Sequence, residues 1–576
     1  MVKDRPGNDP RNNRRSESGG TGAGGELGPG DKQATRRKRS APPSVVVEPR
    51  PQRFMVTPLP QQALPAGVAE LSMDAVCDRL ESLPDVTVIR RLPPSEKLQS
   101  TGTQPACPEI AIIEATEAQL PALWALRVHI EPDLPLSDTA PAAKFLPLRD
   151  PGLVTPLQEP VQIALRVCGP DGEPLADAAV FLIGASWPAQ GITAADGTVT
   201  ISLVTETERS IQSLYVRPRG GYTDRWIHYP DLSATRENLL TLAPLTAVYP
   251  ELEEHQHHGW GQKAMRLEQL PPTFRGFGVK IAVIGSGVSI DHPDLKQQVR
   301  CGIDIVRPAE ERWVRDPLGS GTHTAGIIAG ADTGKGITGI AVDAELDICQ
   351  VLPDGHFSDL IAALDHCIEH EIDIAHIAVA SPYPSALISR KLADATTAGI
   401  ACIAPAGDTG GPVAFPACLS TVFAVGALGA FGTYPPGTSH ATHTGPQLTS
   451  EGLFAAPFSC YGPGIDAAAP GLAILSCTPG GGYAIADGTV TASAHIAGLA
   501  ALVLADHEIF HSQLLPRGPG RVQHLFGIIA ASCRPLAVPG TTEAARTGRG
   551  LPDALTALGL NPGMQPAQTV TPFTTN

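Results

Sequence analysis

The sequence predicts an α/β protein in which a parallel sheet with helices on both faces follows a small α+β domain and a β-sandwich. A chain of 576 residues is longer than one hydrophobic core usually supports, so several domains are expected. From Val279 onward, apolar strand-like runs alternate with helical segments, the pattern of a parallel sheet covered by helices. Before Val279 the sequence pattern changes twice along the chain, and these changes separate the α+β domain from the β-sandwich.

Composition predicts a soluble, cytoplasmic protein. Apolar residues make up 42% of the chain, and the mean hydropathy is +0.02. No transmembrane helix is predicted, because the sequence has no continuous run of about 18 apolar residues. The first residues, MVKDRPGNDPRNNRRSESGG, are charged and have no apolar core, so they do not read as a secretory signal. The 11 cysteines have no paired spacing, which favours reduced thiols over a disulfide framework or a zinc site.

Charge is distributed unevenly along the chain. Residues 1–53 hold 12 Lys and Arg against 6 Asp and Glu, a net charge of +6, and the remainder holds 30 against 52, a net charge of −22. We predict disordered tails at 1–53, which is basic and rich in Gly, Pro and Ser, and at 561–576. A contact of the basic tail with nucleic acid or an acidic partner is an alternative to a solvated tail. The acidic remainder argues against extended nucleic-acid binding by the folded part.

Residues 54–137 are predicted to form the small α+β domain. The run from Ile110 to Ile113 reads as a strand, and a helical pattern follows from Glu117 to Leu126. The domain ends in the extended phrase VHIEPDLPL. An unrelated ferredoxin-like domain is the alternative interpretation.

Residues 160–245 are predicted to form the β-sandwich. Residues 161–167 alternate with a period of two, residues 179–183 form a buried apolar run, and Asp196-Gly197 predicts a hairpin turn before the strand 198–201. The phrases PDGEPLADAAVFL and TAADGTVTISL are similar to those of transthyretin-like and carboxypeptidase-regulatory-like domains. Such modules usually support or bind, and this one has no cluster of catalytic residue types.

Residues 246–278 are predicted to be a polar linker. They contain His255, His257 and His258, which raise the alternative of a metal site. No carboxylate or cysteine follows at ligand spacing, so the linker interpretation is favoured.

Four phrases in residues 279–560 carry a family resemblance. They are GSGV from Gly285 with HPDL from His292, GSGTHTAG from Gly319, APAGD from Ala404, and GTVTASAHIAGLAALVLA from Gly488. Together they resemble the signature phrases of the subtilisin-like serine proteases, the subtilases. The resemblance implies a subtilisin-like parallel sheet and a site in which an aspartate orients a histidine that activates a nucleophilic serine.

The three positions that the resemblance assigns to this triad hold other residues. Gly285 stands at the aspartate position and has no side chain. Ser320 stands at the histidine position, and a hydroxyl cannot act as a general base near neutral pH. Val490 stands at the serine position, and an alkyl group cannot form an acyl-enzyme.

The resemblance also assigns the oxyanion and substrate positions. Asp408 stands where the family has an asparagine that donates to the oxyanion, and an ionised carboxylate only accepts hydrogen bonds. The peptide-pairing edge corresponds to Ala378, Val379 and Ala380, with Ala406 and Gly407 beside it. Backbone pairing does not depend on these side chains, so peptide binding remains an expectation.

Other polar residues in these phrases have structural or alternative interpretations. His323 is expected to be a packed, hydrogen-bonded histidine, as its family counterpart is. A rewired hydrolase would need His323 together with Ser286 or Ser493. Asp294 matches a calcium-ligand position in some family members, and it is the only metal candidate that we retain.

These observations predict a subtilisin-like peptidase homologue that is catalytically inactive and binds a peptide or protein in the former cleft, with an active subtilase as one partner class. The α+β domain at 54–137 resembles the inhibitor-type propeptide of subtilases, which lays its tail in the active-site cleft. Because autoprocessing needs the triad, this domain is expected to stay attached. The alternatives are a serine endopeptidase with rewired residues and a purely structural assembly surface. No membrane or cofactor is expected.

Overall fold

The structure is a computed structural model that describes residues 51–60, 63–64, 69–137, 160–184, 188–204, 206–511, 515–537 and 540–560. The predicted tail at 561–576 and residues 1–50 of the predicted N-terminal tail lie outside the described residues. The boundary predicted at residue 53 is wrong, because Gln52 and Arg53 belong to the first strand. All 11 cysteines are free thiols, as predicted.

The first domain is a four-stranded antiparallel sheet with short helices. In sheet order the strands run β2-β3-β1-β4. The elements are β1 (Gln52–Pro58), α1 (Met73–Glu81), β2 (Val86–Leu92), α2 (Glu96–Ser100), β3 (Ile110–Ala115), a 3-10 turn (Glu117–Gln119), α3 (Leu120–Ala125) and β4 (Val128–Pro132). Successive side chains along β1 point to opposite faces of the sheet, and both faces are packed. Phe54 and Val56 pack within the domain, whereas Met55 packs into a core shared with the large domain.

The second domain consists of two sheets that share one hydrophobic cluster. One sheet has the order β10-β9-β6-β7 and the other has the order β11-β5-β8. The shared cluster includes Ile163, Leu165, Val180 and Leu214. The strands are β5 (Val161–Cys168), β6 (Ala179–Ile183), β7 (Pro188–Ile192), β8 (Thr198–Leu203), β9 (Ser213–Arg217), β10 (Arg225–His228) and β11 (Asn238–Thr241), with a 3-10 turn at Glu208–Ser210.

The turn at Asp196-Gly197 is present, but it does not close a hairpin. Asp196 Oδ1 accepts hydrogen bonds from the Thr198 amide and hydroxyl at 3.0 and 2.6 Å. The flanking strands then diverge, because β7 pairs with β6 whereas β8 pairs with β5. The turn residues therefore reverse the direction of the chain, whereas burial of the two sheet faces determines which strands pair.

The large domain is an α/β structure with a mixed sheet. In sheet order its strands run β14-β16-β13-β17-β18-β19-β20, and β21 also pairs with β19. The central strands are parallel, as predicted, but β20 is antiparallel to β19, so the sheet is not purely parallel.

The elements of the large domain follow in chain order. The strands are β12 (Gln256–His257), β13 (Lys280–Gly285), β14 (Val299–Asp304), β15 (Gly336–Ile337), β16 (Glu345–Gln350), β17 (Ile374–Ile377), β18 (Ala401–Pro405), β19 (Val422–Ala430), β20 (Leu453–Ala455), β21 (Ala467–Pro470), β22 (Ile474–Thr478), β23 (Gly482–Ala486), β24 (Cys533–Arg534) and β25 (Leu551–Pro552). The helices are α4 (Trp260–Ala264), α5 (Ser320–Ala329), α6 (Phe357–Glu369), α7 (Ala386–Thr397), α8 (Thr489–Asp506), α9 (Glu508–His511), α10 (Pro519–Ala531), α11 (Thr542–Thr547) and α12 (Ala554–Ala557), with 3-10 turns at Leu245–Ala247, Pro250–Glu253, Leu267–Gln269, Arg312–Val314 and Ser439–His443.

Helices cover both faces of the large sheet. α5 and α8 contribute to one hydrophobic core, and α6 and α7 contribute to the other. α8 is apolar on all sides, which is expected of a helix surrounded by protein. Among the described residues it is the one helix long and apolar enough to cross a membrane, but 89% of it is buried inside the protein.

The segment 246–278 is not a polar linker. Leu252 and Met265 are buried in the core of the large domain, and the short strand β12 pairs with β15. The Trp260 indole donates to the carbonyls of Leu472 and Ala473 at 3.1 and 3.2 Å. The prediction failed because single-turn helices and two-residue strands are too short to produce a periodic pattern. Within this described segment, His257 contacts Glu251 and His258 contacts Gln262, so these rings do not converge on a metal.

Two carboxylates, one in β4 and one directly after it, bind helix N-termini of the large domain. Glu131 accepts hydrogen bonds from the Ala386 amide and the Ser385 hydroxyl at the start of α7. Asp133 accepts from the Ser358 amide and hydroxyl at 2.8 and 2.9 Å at the start of α6. Both contacts satisfy amides that have no partner within a helix, and both place negative charge at the positive end of the helix dipole.

Candidate functional site

The end of the central strand β13 forms one side of the site. Gly285 is its last residue, and the Gly285 carbonyl accepts hydrogen bonds from the amides of Val351 and Leu352 at 2.8 and 3.0 Å. A Cβ atom placed at Gly285 would contact only the Ala378 methyl group, at 3.4 Å. The position therefore has a fixed backbone and room for a side chain, but it holds no ionisable group.

Ser320 begins helix α5 beside this strand end. Buried Asp316 accepts hydrogen bonds from the amides of Gly319 and Thr322 at 2.8 and 2.7 Å, which fixes the first turn of the helix. The Ser320 hydroxyl lies 2.9 Å from the Ser286 hydroxyl, which also accepts from the Gly321 amide. The structure thus brings the first two predicted positions together, and two hydroxyl groups occupy the space between them.

Val490 lies in the first turn of α8 and is 7% exposed. Its neighbour Thr489 connects it to the end of β18. The Thr489 amide donates to Asp408 Oδ1 at 2.8 Å, and the Thr489 hydroxyl accepts from the Gly407 amide at 3.1 Å. The structure therefore also brings Val490 and Asp408 together.

Asp408 has a different role from an oxyanion donor. Its carboxylate is 5% exposed and binds an amide at the start of α8. A carboxylate is favourable at a helix N-terminus for the structure of the helix. A carboxylate at this position would repel negative charge developing on a substrate oxygen, and the helix amide that it binds is already occupied.

The histidines around α8 are buried and neutral. His323 Nε2 contacts the Ile474 carbonyl at 3.0 Å, and burial lowers the pKa of His323 to about 4. His323 is thus a packed histidine, as predicted, and its ring contacts neither Ser286 nor Ser493 in the described structure.

The structure reveals a serine–histidine pair that the sequence reasoning missed. His376 Nε2 lies 2.8 Å from the Ser493 hydroxyl, which donates to the Val490 carbonyl at 3.0 Å. Both residues are fully buried, and burial lowers the pKa of His376 to about 4. A histidine inside the apolar run of β17 was the available signal. The pair has hydrogen-bond geometry but no access to solvent.

The predicted peptide-pairing edge lies next to Gly285. The Ala378 amide continues the pairing of β17 with β13 by donating to the Ile284 carbonyl at 2.9 Å. Val379 is buried and Ala380 is half-buried. Ala406 and Gly407 are also buried, and the Ala406 amide and carbonyl pair with Val425 and Ala414. Peptide binding along residues 378–380 stays a prediction.

The loop that follows β16 is paired with the tail of the first domain. The Phe357 amide donates to the Leu134 carbonyl at 2.9 Å, and the Leu136 amide donates to the Gly355 carbonyl at 2.8 Å. Pro135 and His356 are antiparallel partners in this short pairing. The tail therefore binds by adding a strand to the loop that follows β16.

A buried histidine joins the second domain to the residue before Gly488. His440 Nδ1 lies 2.7 Å from Asp487, and its Nε2 lies 3.6 Å from Asp224 of the second domain. Burial favours the neutral ring, but the charges of Asp487 and Asp224 outweigh this effect and raise the pKa of His440 to about 9. His443 contacts the other oxygen of Asp487 at 3.1 Å. An imidazolium therefore holds two carboxylates together at this interface.

The Asp294 carboxylate, the calcium candidate, accepts hydrogen bonds from the Tyr483 hydroxyl at 2.8 Å and the Thr333 hydroxyl at 3.5 Å. Asp294 is buried, and the Gln256 amide group lies against the carbonyls of Ala331 and Ile337 at 3.4 and 2.5 Å. Gln256 Oε1 is buried without a hydrogen-bond partner among the described residues. A half-turn of this amide would place its oxygen beside the two carbonyls, and calcium, which prefers oxygen ligands, would bind Asp294 in exchange for the hydrogen bonds of Tyr483 and Thr333. Calcium there would link β12 to the loop before β15.

Comparison with known proteins identifies the large domain. The model of the subtilase family matches residues 276–516. Subtilisin Savinase from Lederbergia lenta is 35% identical over 232 residues, which are 40% of this chain and 77% of that protein. The chain belongs to the subtilase family. Subtilisin NAT from Bacillus subtilis subsp. natto is 33% identical over 311 residues, which are 51% of this chain and 75% of that protein. The chain spans about half (54%) of the M-protease from Shouchella clausii strain KSM-K16, at 35% identity.

The His440 contacts predict a pH-dependent stability for this subtilase homologue. Because the folded pKa is about 9 against an ordinary 6.5, the stabilisation is complete below pH 6.5 and is lost as the pH rises through 9. Thermal unfolding followed from pH 6 to about 9.5 is expected to show a fall in Tm that His440→Gln makes shallower. His443→Gln is the matched control, because that ring is 31% exposed and contacts only one of the two carboxylates. Parallel pH profiles for wild type and His440→Gln would contradict this assignment.

The Asp294 site predicts a calcium-dependent Tm. At a free calcium concentration of 100 Kd, binding to the folded state alone stabilises by about 2.7 kcal/mol. Addition of a calcium chelator is expected to lower the Tm of the wild type and to leave Asp294→Asn unchanged. Asp291→Asn, an exposed carboxylate in the same loop, should keep the calcium response. An unchanged wild-type Tm across calcium concentrations would argue against the site.

Proposed function

We propose that this chain is a catalytically inactive subtilase homologue that binds a peptide or protein segment in its former active-site cleft. The observation that carries the proposal is the joint replacement of four reacting positions, with Gly285, Ser320, Val490 and Asp408 in place of acid, base, nucleophile and oxyanion donor. Each replacement sits on backbone that its neighbours hold in place, so the frame is kept without the reacting groups.

Rate arguments support inactivity. Loss of one oxyanion donor lowers kcat by about 10²–10³, and loss of the nucleophile or base of a subtilisin lowers it by about 10⁶. The His376–Ser493 pair is the nearest substitute for a base and nucleophile, and it favours the alternative of a rewired endopeptidase. We rank that alternative second, because both groups are fully buried and the histidine is a weak base.

The first domain is, in this proposal, a propeptide-like domain that stays attached. Its sheet buries Met55 against the large domain, its two carboxylates cap α6 and α7, and its tail pairs with residues 355–357. A domain of this kind is released after cleavage of the chain, and cleavage needs a nucleophile that Val490 does not provide. The tail then competes with any peptide or protease segment that pairs at the same edge.

The proposed role of the second domain is to support the cleft. Its Asp224 reaches His440 and the Ser439 amide, and the Arg219 carbonyl accepts from the Thr478 hydroxyl at 3.1 Å. Both contacts are with segments that border residues 487–490. A partner that binds this domain alone would favour a structural assembly role over peptide binding.

Inactivity is tested by restoring the reacting groups. We expect no casein turnover and no fluorophosphonate labelling of the wild-type chain, and labelling at position 490 after the combined changes Gly285→Asp, Ser320→His, Asp408→Asn and Val490→Ser. The variant that carries the first three changes and keeps Val490 is the control and should stay unlabelled.

Two outcomes would count against this proposal. Labelling of wild type at any serine, with loss on Ser493→Ala, would establish the rewired endopeptidase. A folded fourfold variant without labelling would refute the inference that side-chain replacement alone explains inactivity.

Peptide binding at residues 355–357, where the tail of the first domain pairs, is tested with a peptide that has the sequence of this tail. A fluorescent peptide of residues 128–137 should bind more tightly to Asp133→Asn than to wild type, because the change weakens the attached competitor. A hydrogen bond to a charged group contributes about 1.5–3 kcal/mol, so a gain of about tenfold or more in anisotropy-based affinity is expected. Asp354→Asn, an exposed carboxylate before the same helix, should leave the affinity unchanged. Equal affinities for Asp133→Asn and wild type would contradict competition at this edge.

A further inference from the structure

The edge of the large sheet carries a second cluster of metal-binding residue types, separate from the catalytic positions. Asp347 and Cys349 point to the same face of β16, because side chains two residues apart share a face of a strand. Cys301 on the edge strand β14 is the register partner of Asp347. Helix α6 covers this face and contributes His366.

The donor atoms of this cluster lie close together. His366 Nε2 is 3.3 and 3.1 Å from the two carboxylate oxygens of Asp347. The ligand atoms of Asp347, Cys349 and His366 all lie within 4.8 Å of one another. The Cys301 thiol forms a hydrogen bond with the same carboxylate. Three donors from β16 and α6 thus lie close together, and Cys301 from β14 reaches the same carboxylate.

Because the cluster is buried, hydrogen bonds alone leave it with an unfavourable free energy of desolvation. Asp347 is 3% exposed and Cys349 is fully buried, with Leu346 and Ile348 on either side of the carboxylate in sequence. Buried ionised carboxylates in proteins are paired or coordinate metals.

We propose that Asp347, Cys349, His366 and Cys301 form a tetrahedral site for a divalent transition metal of the zinc class. The set of one oxygen, one nitrogen and two sulfur donors is typical of zinc rather than of calcium or magnesium, which prefer oxygen alone. Three of the four donors come from the sheet and one from α6, so the ion would fasten the helix to the sheet edge.

His370 holds the His366 ring in position. It follows one helical turn later, and the two rings stack with centroids 3.8 Å apart. Its Nδ1 contacts the His366 carbonyl at 2.9 Å. His370 is therefore a positioning residue outside the ligand set, and it restricts the rotation of the liganding ring.

Metal binding at this site releases protons. Zinc binds sulfur as the thiolate, whereas Cys301 and Cys349 are free thiols. Each thiol passes its proton to solvent as its sulfur binds the ion, and any excess proton on the His366 ring also leaves, so at least two protons leave per metal. His366 binds through Nε2 with its proton on Nδ1. The affinity therefore rises with pH.

The site is tested on the full chain with cobalt as a spectroscopic probe. Chelator-treated protein titrated with Co²⁺ is expected to bind one ion, to release at least two protons and to develop a thiolate-to-cobalt charge-transfer band, which is lost when Zn²⁺ displaces the cobalt. His366→Gln and Cys349→Ser should abolish the band and lower the affinity by at least about tenfold, on the scale of lost metal-site contacts. Cys301→Ser, at an exposed thiol where unfolding is not expected, should keep the fold and weaken the band.

Matched controls separate this site from the other described cluster, His292, Asp294 and Cys477. Both ring nitrogens of His292 are already engaged there, by the Asp294 amide and the Gly482 carbonyl. Cys477→Ser, and Cys418→Ser at an exposed thiol, should leave the band unchanged. Absence of a thiolate band in wild type, its persistence at full strength in His366→Gln or Cys349→Ser, or its loss in Cys477→Ser would overturn the proposal.

Discussion

Burial of α8 on every side is the constraint on which the large domain depends. The helix has too few polar groups to face water, so the sheet, α5 and the segment 246–278 must enclose it. Close approach is possible where a neighbour has no Cβ atom; an added Cβ at Gly498 would lie 2.7 Å from the Ile340 side chain. Enclosure fixes the position of Thr489 and Val490 at the strand ends. The frame of the site therefore follows from core packing and needs no reacting residue.

Because core packing positions the backbone of the site, the residues at the reacting positions can differ from the family pattern without disrupting the fold. Ser286 and Ser320 hydrogen-bond to each other, and Asp408 binds the Thr489 amide. Each polar group introduced at the site has a partner, so burial carries little penalty. The same contacts consume the amide and hydroxyl groups that catalysis would need. The hydrogen bonds that stabilise these side chains in the folded state therefore occupy the groups that a catalytic reaction would use.

Sequence reasoning was strongest where the residues sit in strict local phrases. GSGV and GTV fixed the ends of β13 and the start of α8, so Gly285 and Val490 could be placed without coordinates. It was weakest where contacts are distant in sequence. The His376–Ser493 pair spans 117 positions, and the Asp224–His440 contact joins two domains. Short elements such as β12 carry no periodic signal, which is why 246–278 was misread as a linker.

In the proposed inactive subtilase homologue, the first domain would stay attached because the cleft lacks a nucleophile. Its tail is held by backbone pairing and by carboxylates at helix N-termini, none of which involves a reacting group. In a competent protease such contacts are transient, because cleavage converts the tail from an attached to a free ligand. If the chain is not cleaved, as we propose, the tail keeps the high effective concentration of a covalently linked ligand. An incoming segment must therefore offer more than backbone pairing, and side-chain contacts at residues 378–380 are where that additional affinity would arise.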